Sequence, residues 1–334
     1  MKRTLILALS LMPTWPAAAR AITKPAGVAA EEEHRKAELR SRLCTDRDLN
    51  CAYVSALFSD ARLKIYDPPE PAPPPPTPAP KDRERNPYLT KRFGLLTPES
   101  LERCRGFVQA HLLAFDAAYK IYGVPKEIIC GHLRIETDFG IPTGLSPHPL
   151  GMIPAINRLV TLYVRRPSRK QTGTQFAHRQ TFALNQLKEL LQAATNNGWD
   201  LFQIPGSSTG AIGLAQFEPS SFKIAVDGDG DGRIDLFNPE DAILSVAHYL
   251  TTRGWDNLPQ HQYRAVYAYY GGHYDSDPNK YYMKAVLKYA VEIHKYLQDH
   301  PLESGLVALP RPLPLPQQDT VEPPIHTDEQ GLKN

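Results

Sequence analysis

No stretch of the 334-residue chain is apolar for the roughly 20 residues that a bilayer-spanning helix needs. Charge of one sign is missing too, since a formal net charge of +2 offers neither a basic field for nucleic acid nor an acidic tail. Strand signals are nearly absent, which points to a mainly α fold, and no internal repeat is present. Cysteine is scarce: Cys44, Cys51, Cys104 and Cys130 are the only four, and none of their spacings is the C-x₂₋₄-C of a zinc site. Proline, by contrast, is abundant. The 32 prolines gather at the chain's edges and in one internal segment, so the folded part is smaller than the length suggests, although 42% hydrophobic residues suffice for a real core.

Lys2 and Arg3, the apolar run Leu5 to Met12 and small residues through Ala19 and Ala21 form a tripartite secretory signal, with cleavage after Ala19 or Ala21. No cysteine follows the apolar run, so a lipid anchor is not expected. Removal of residues 1–21 leaves 35 basic and 36 acidic side chains, a net charge of −1. A periplasmic protein is expected. The four cysteines fit an oxidising compartment and allow three pairings; Cys44 with Cys51 would staple a short loop and leave Cys104 with Cys130 to tie two helices, the alternative being four buried thiols.

Residues 22–67 form an N-terminal segment, helical from Glu31 to about Tyr66. Residues 68–86 form a linker, with nine prolines between Pro68 and Pro80; in polyproline II geometry that run is a semi-rigid spacer on the order of 40 Å long. A catalytic domain is expected over 87–300, with 50–66 packed on it, and a proline-rich tail over 301–334. The linker and tail are candidate docking segments for cell-envelope proteins. Thr97-Pro98-Glu99 opens a helix with an N-cap, a proline at the first position and an acid in the first turn, and this helix runs towards Tyr122. Further helical patterns cover about 153–163, 176–196, 239–252, 262–270 and 279–298.

Between them lies Ile121 to Gly140. Gly123 breaks the preceding helix, Pro125 suits a first turn, and Gly140 with Pro142 gives a stop. Glu136 stands three residues after Leu133 and seven after Ile129, so it emerges from the apolar stripe. Desolvation there favours the protonated acid, which is what general acid catalysis requires. Asp138 is no partner for it, because residues two apart on a helix face different ways. The alternative is an ordinary glutamate whose head reaches water.

Two further motifs follow. Asp227, Asp229, Asp231 and Asp235 occupy positions 1, 3, 5 and 9 of an EF-hand-type loop, with Gly232 at position 6 and the Arg233 carbonyl at position 7. Position 12 holds Asn238 in place of the usual glutamate. Asp241 is the expected closing ligand, because a helix starting at Pro239 would point its first turn back at the loop. A structural Ca²⁺ is therefore expected, the alternative being a plain acidic turn. The second motif, Gly206 to Phe217, contains Ser207 and Gln216; its small residues let a sugar or backbone approach, and it lacks the lysine of a phosphate loop.

Together IETDFG, GAIGLAQFEPSSF and DGDGDGRIDLFNPEDAILSVAHYL resemble the lytic transglycosylases of the membrane-bound B type, glycoside family 103. The likeness runs over about 50–298 and is dense from Tyr122 to Trp255. It implies a lysozyme-like (goose-type, SLT-like) helical catalytic domain with an EF-hand-type calcium loop, acting on peptidoglycan glycan strands as a monomer, without nucleic acid or an organic cofactor. It places Glu136 as the single acid/base, protonating the glycosidic oxygen and then taking the proton of the C6 hydroxyl to close 1,6-anhydro-MurNAc. It places Ser207 and Gln216 along the cleft, with Tyr269, Tyr270 and Tyr282 at a third site. There the family carries Tyr-Asn; this chain has Tyr269-Tyr270, followed by about six inserted residues before Tyr282. Two rival functions remain: a muramidase that admits water, and a catalytically weak glycan-binding scaffold.

Overall fold

The computed structural model describes residues 26–66, 86–141, 153–167, 171–271 and 280–303. The expected signal peptide, nearly all of the proline linker and the tail beyond Glu303 lie outside them. Ten α-helices are described: α1 (Ala26–Cys44), α2 (Cys51–Ser59), α3 (Pro98–Ala110), α4 (Leu112–Tyr122), α5 (Lys126–Thr137), α6 (Ala155–Val164), α7 (Gly173–Asn197), α8 (Pro239–Thr252), α9 (Pro259–Tyr269) and α10 (Tyr281–Asp299). Among the described residues β structure amounts to two isolated bridges, Pro154 with Pro205 and Ile212 with Phe217. The fold is mainly α.

Local chemistry sets these boundaries. The helical stretch expected from Glu31 to Tyr66 is two helices, because Asn50 restarts the chain as an N-cap: its Oδ1 accepts from Ala52 N at 2.9 Å and Tyr53 N at 3.2 Å. Cys44 and Cys51 are disulfide-bonded across that break, with Cα atoms 4.5 Å apart. Thr97 caps α3 as expected. The helix expected to continue to Tyr122 breaks at His111 (φ −122°, ψ 31°), where α3 stops and α4 begins. Gly123 ends α4 in the left-handed region (φ 67°). Thr172 and Gln175 make a reciprocal capping box at the start of α7.

The N-terminal helices share the core with the rest. Leu39, Leu43, Val54 and Phe58 are buried in one cluster with residues of α5, α6 and α7. Arg35 donates to the carbonyl of Val164, and Asn157 Nδ2 donates to Arg62 O at 3.0 Å. At the centre is α5. Nine of its 12 residues are buried, so it is a core helix contacted on several sides, by α3, α4, α8 and most extensively α10. Gly131 allows the α10 contact: a Cβ there would lie 2.9 Å from Val286 Cγ1 and 3.1 Å from the Val286 carbonyl oxygen.

The second expected disulfide is not formed. Cys104 on α3 and Cys130 on α5 are both fully buried free thiols. They are in hydrogen-bond contact, and burial pushes the Cys130 thiol well up. Packed this way they act as small apolar groups within the core.

Candidate active site

Glu136 sits in the last turn of α5, which ends in an unusual corner. Asp138 (φ 53°), Phe139 (φ 58°) and Gly140 (φ 81°) are successive left-handed residues. Such geometry costs a bulky residue like phenylalanine on the order of 1–3 kcal/mol. Burial of Phe139 against Phe107, 5.0 Å between centroids, opposes that cost. An enclosed ion pair holds the corner: Arg134 Nε lies 3.1 Å from Asp138 Oδ1, both side chains 0% exposed. Arg103 Nε donates to the same oxygen at 3.1 Å. Arg134 is itself held by Ser100 Oγ at 2.7 Å and by the carbonyls of Phe93 and Gly94. Asp138 therefore faces Arg103 of α3 and Arg134 of α5 itself, whereas Glu136 faces Tyr282 of α10.

The Glu136 carboxyl is part-buried, and loss of hydration pushes its pKa up to about 7. Tyr282 Oη donates to its Oε1 at 2.6 Å, which opposes part of that rise. Tyr282 is buried and lies in an aromatic group: Tyr269 stacks on it at 6.3 Å, Tyr270 at 5.5 Å, and Tyr88 meets it edge-on at 5.9 Å. The Tyr88 hydroxyl is pushed up to about 12 by burial, with Tyr270 and Glu136 adding to it. His132, one helical turn before Glu136 and fully buried, has Nδ1 2.9 Å from Tyr282 Oη.

Gln216 and its loop form the opposite support. Ile212 and Phe217 pair by two backbone hydrogen bonds, at 2.9 and 3.0 Å, around a four-residue turn. Gly213 (φ 78°) must be glycine there, because a Cβ would lie 2.4 Å from Leu236. Leu214 N donates to Leu236 O at 2.8 Å, and Leu214 O accepts from Thr137 Oγ1 at 2.8 Å. Ala215 O accepts from Tyr269 Oη at 2.7 Å. Gln216 is itself left-handed (φ 51°), its Nε2 bonded to Gly213 O at 3.0 Å and its Oε1 buried without a partner among the described residues. Beside it opens a cleft of about 380 Å³ lined by Gln216, Glu218, Tyr249, Arg253, Tyr269 and Tyr270.

Glu136, Tyr269, Tyr270 and Tyr282 are thus brought together, with Gln216 sharing the cleft wall with Tyr269 and Tyr270. Ser207 is placed differently. Its Oγ accepts from Ala211 N at 3.1 Å and Thr209 N at 3.3 Å and contacts Thr209 Oγ1 at 3.1 Å, so the hydroxyl is used within its own turn. Three neighbours went unforeseen: His132, Tyr88 and Glu218. His132 carries a readable signal, its four-residue spacing from Glu136. Tyr88 carries none, since its place depends on α10 packing.

In the acidic loop Asp227, Asp229 and Asp241 bring carboxylate oxygens within 4.8 Å of one another. Asp241, in the first turn of α8 and 2% exposed, accepts from Gly228 N and Asp235 N, each at 2.6 Å. Asn238, at position 12, caps α8 through Oδ1 and turns its amide nitrogen to Asp229 Oδ2 at 2.7 Å. Asp231 and Asp235 lie outside that triplet; each accepts from a nearby backbone N–H, of Arg233 and Phe237 respectively. Oxygen-only donors crowded this closely fit a hard cation, since burial and repulsion from Asp229 and Asp227 push Asp241 up to about 6.

A family model described as the transglycosylase SLT domain matches residues 31–295. The chain belongs to the SLT transglycosylase family. It is 34% identical over 169 residues to the membrane-bound lytic murein transglycosylase B of Escherichia coli K12, a match covering 50% of this chain and 42% of that protein. The match therefore spans less than half of that relative's length. Among solved structures, the Escherichia coli lytic transglycosylase Slt35 in complex with calcium superposes with a TM-score of 0.58 at 20% identity, covering 78% of this chain and 93% of that one. SltB3 from Pseudomonas aeruginosa in complex with NAG-NAM-pentapeptide does so at 0.57 and 18%, covering 79% and 80%. At these identities the SLT likeness to solved structures is one of fold. No helix among the described residues of this SLT chain is long and apolar enough to cross a membrane.

Proposed function

We propose that this chain is an exported, periplasmic peptidoglycan lytic transglycosylase that cleaves the MurNAc-β-1,4-GlcNAc bond with Glu136 as its one acid/base. The observation that carries this reading is Glu136 itself: part-buried, its pKa pushed up to about 7 by loss of hydration, and oriented by the Tyr282 hydroxyl. Glu136 gives its proton to the glycosidic oxygen as the bond to C1 breaks. The resulting carboxylate removes the proton of the C6 hydroxyl as O6 bonds to C1, closing the anhydro ring and restoring the acid. The nucleophile belongs to the same sugar and acts at high effective concentration. Glycosidases of the two-carboxylate kind need a second, to activate water or to form a covalent intermediate.

Tyr269 and Tyr270 supply aromatic surface beside Glu136, and Gln216 Oε1 offers an acceptor to a sugar hydroxyl or amide. Tyr270, 58% exposed, can both stack and donate one hydrogen bond where the family pattern has asparagine. Residues 87–300 form the catalytic unit, with α1 packed on α6 and α7 and α2 packed on α1. The linker and tail are proposed docking segments for envelope proteins, and the chain acts as a monomer. The products decide the chemistry: digestion of purified sacculi should release fragments ending in anhydro-muramic acid, lighter by one water than hydrolytic products in a mass spectrum. Hydrated ends would make it a muramidase, and no release would leave the glycan-binding scaffold.

The acidic loop is assigned a structural Ca²⁺ held by Asp227, Asp229 and Asp241, with the Arg233 carbonyl, Asp231 and Asp235 as further oxygen donors. Bound there, the ion supplies charge neutralisation and no chemistry at the scissile bond. Ligand binding to the folded state adds about 2.7 kcal/mol at a hundredfold excess over Kd, and extracellular-type loops bind at roughly 10⁻⁴–10⁻³ M. Millimolar calcium, about one to ten times that Kd, adds about 0.4–1.4 kcal/mol and should raise the melting temperature by about 1–5 °C. Asp229→Ala should abolish the response. A melting curve of metal-free protein that ignores both calcium and chelator would leave a plain acidic turn.

A further inference from the structure

His132 is a fully buried histidine that the mechanism above does not use. It lies on the same face of α5 as Glu136, four residues earlier, and Tyr282 bridges the two: His132 Nδ1 is 2.9 Å from Tyr282 Oη, which is 2.6 Å from Glu136 Oε1. The approach of α10 that allows this bridge is set one residue before, where Gly131 meets Val286. Tyr269 holds the imidazole from the side, with centroids 4.3 Å apart, and is itself tied to Ala215 O. Nε2 of His132 has no partner among the described residues.

These contacts decide the proton's place on the ring. A proton on Nε2 would be a buried donor without an acceptor, and Nδ1 would then take the Tyr282 proton away from Glu136. A proton on Nδ1 makes both hydrogen bonds and leaves only a bare lone pair at Nε2. An orphaned buried donor costs about 1–3 kcal/mol, so the second arrangement is favoured. Resting on the reading of Glu136 as the acid, the geometry points to His132 as a positioning residue: its Nδ1–H fixes the direction of a hydrogen-bond chain through Tyr282, so that Glu136 Oε1 always accepts and the transferable proton sits on Oε2.

The imidazole stays neutral throughout, because burial pushes its pKa down to about 3. It therefore acts as a fixed donor and exchanges no proton with substrate. A hydroxyl that accepts a hydrogen bond is a better donor, so His132 strengthens the Tyr282 bond to the ionised glutamate. Among the described residues, titratable groups facing Glu136 and Tyr282 include Tyr88, Tyr269 and Tyr270, with Tyr249 behind Tyr269. Arg103 and Arg134, the charged groups towards α3, are directed to Asp138.

The test combines a spectroscopic and a kinetic arm on the full chain. Nitrogen-15 NMR of the His132 ring should show a neutral imidazole protonated at Nδ1 from about pH 5 to 8. In turnover of soluble glycan fragments, His132→Leu should lower the rate about tenfold and move its basic limb up by about half to one pH unit, since Glu136 loses support for its charged form. His132→Asn, whose amide nitrogen can stand in place of Nδ1, should restore the limb. A ring protonated at Nε2, a limb that does not move, or an asparagine no better than leucine would overturn the assignment. Should His132→Leu fail to fold, His132→Asn and the NMR arm still decide it. The NMR reading does not depend on turnover, so failure of the acid assignment is distinguishable from failure of this chain.

Discussion

Glu136→Gln should abolish release of muropeptides from sacculi while leaving the fold intact, with turnover down by about 10²–10⁴-fold, the usual worth of one positioned proton donor. Glutamine keeps the size and can still accept from Tyr282, but its amide has no proton to give to a leaving oxygen. The parent's own pH profile supplies a second readout. The first step needs the protonated acid, and the pKa is pushed up to about 7, so the rate should fall as pH rises through that value. The linkage has the same sign. A carboxyl whose folded pKa is raised makes the fold most stable below its ordinary pKa of 4.5, and that advantage is lost progressively between 4.5 and about 7. Glu136→Gln carries no charge to bury, so above pH 7 it should melt no lower than the parent. Near-normal cleavage by the variant, read by chromatography of released fragments, would remove Glu136 from the mechanism.

Asp138→Ala should be the most damaging single change near the site, costing about 3–5 kcal/mol, the usual penalty for stranding one member of an enclosed ion pair. Arg134 would keep Ser100 Oγ and two carbonyls but lose the carboxylate opposite its charge. Alanine is also poorly suited to the left-handed corner that Asp138 occupies at φ 53°. Asp138→Asn tolerates that backbone and fills the same space, so it should recover part of the loss. Denaturant melts of the two variants separate backbone from charge: equal losses would mean that charge alone matters. A loss below about 1 kcal/mol in both would place the pair among ordinary surface ion pairs.

Much of this was legible in the sequence, and the reason is locality. Gly123 and Pro125 bound the start of α5, Thr97 caps α3, and Pro239 aims Asp241 at the acidic loop; each acts within a turn of itself. The break at His111 was hidden because apolar residues continue through it without glycine or proline. Cys44 and Cys51 are joined across seven residues, whereas the Cys104–Cys130 relation is set by how two helices pack. Ser207 has the right residue type for contacting a ligand, yet its hydroxyl closes a turn that the composition of the loop could not reveal. The Tyr282 bridge between His132 and Glu136 spans 150 and 146 residues, and no local pattern could announce it.

Leu214 uses its two backbone groups in opposite directions, its N–H on Leu236 and its carbonyl on Thr137, the neighbour of Glu136. In terms of local unfolding, one residue joins the end of the acid-bearing helix to the tenth position of the acidic loop. Opening at the α5 end breaks the Thr137 bond and opening at the loop end breaks the Leu236 bond, so the two regions are coupled through Leu214. Amide hydrogen exchange at Leu214 should therefore slow when the loop is rigidified, and the fraying of α5 should slow with it. The end of α5 is thus held in place through the uncharged Leu214.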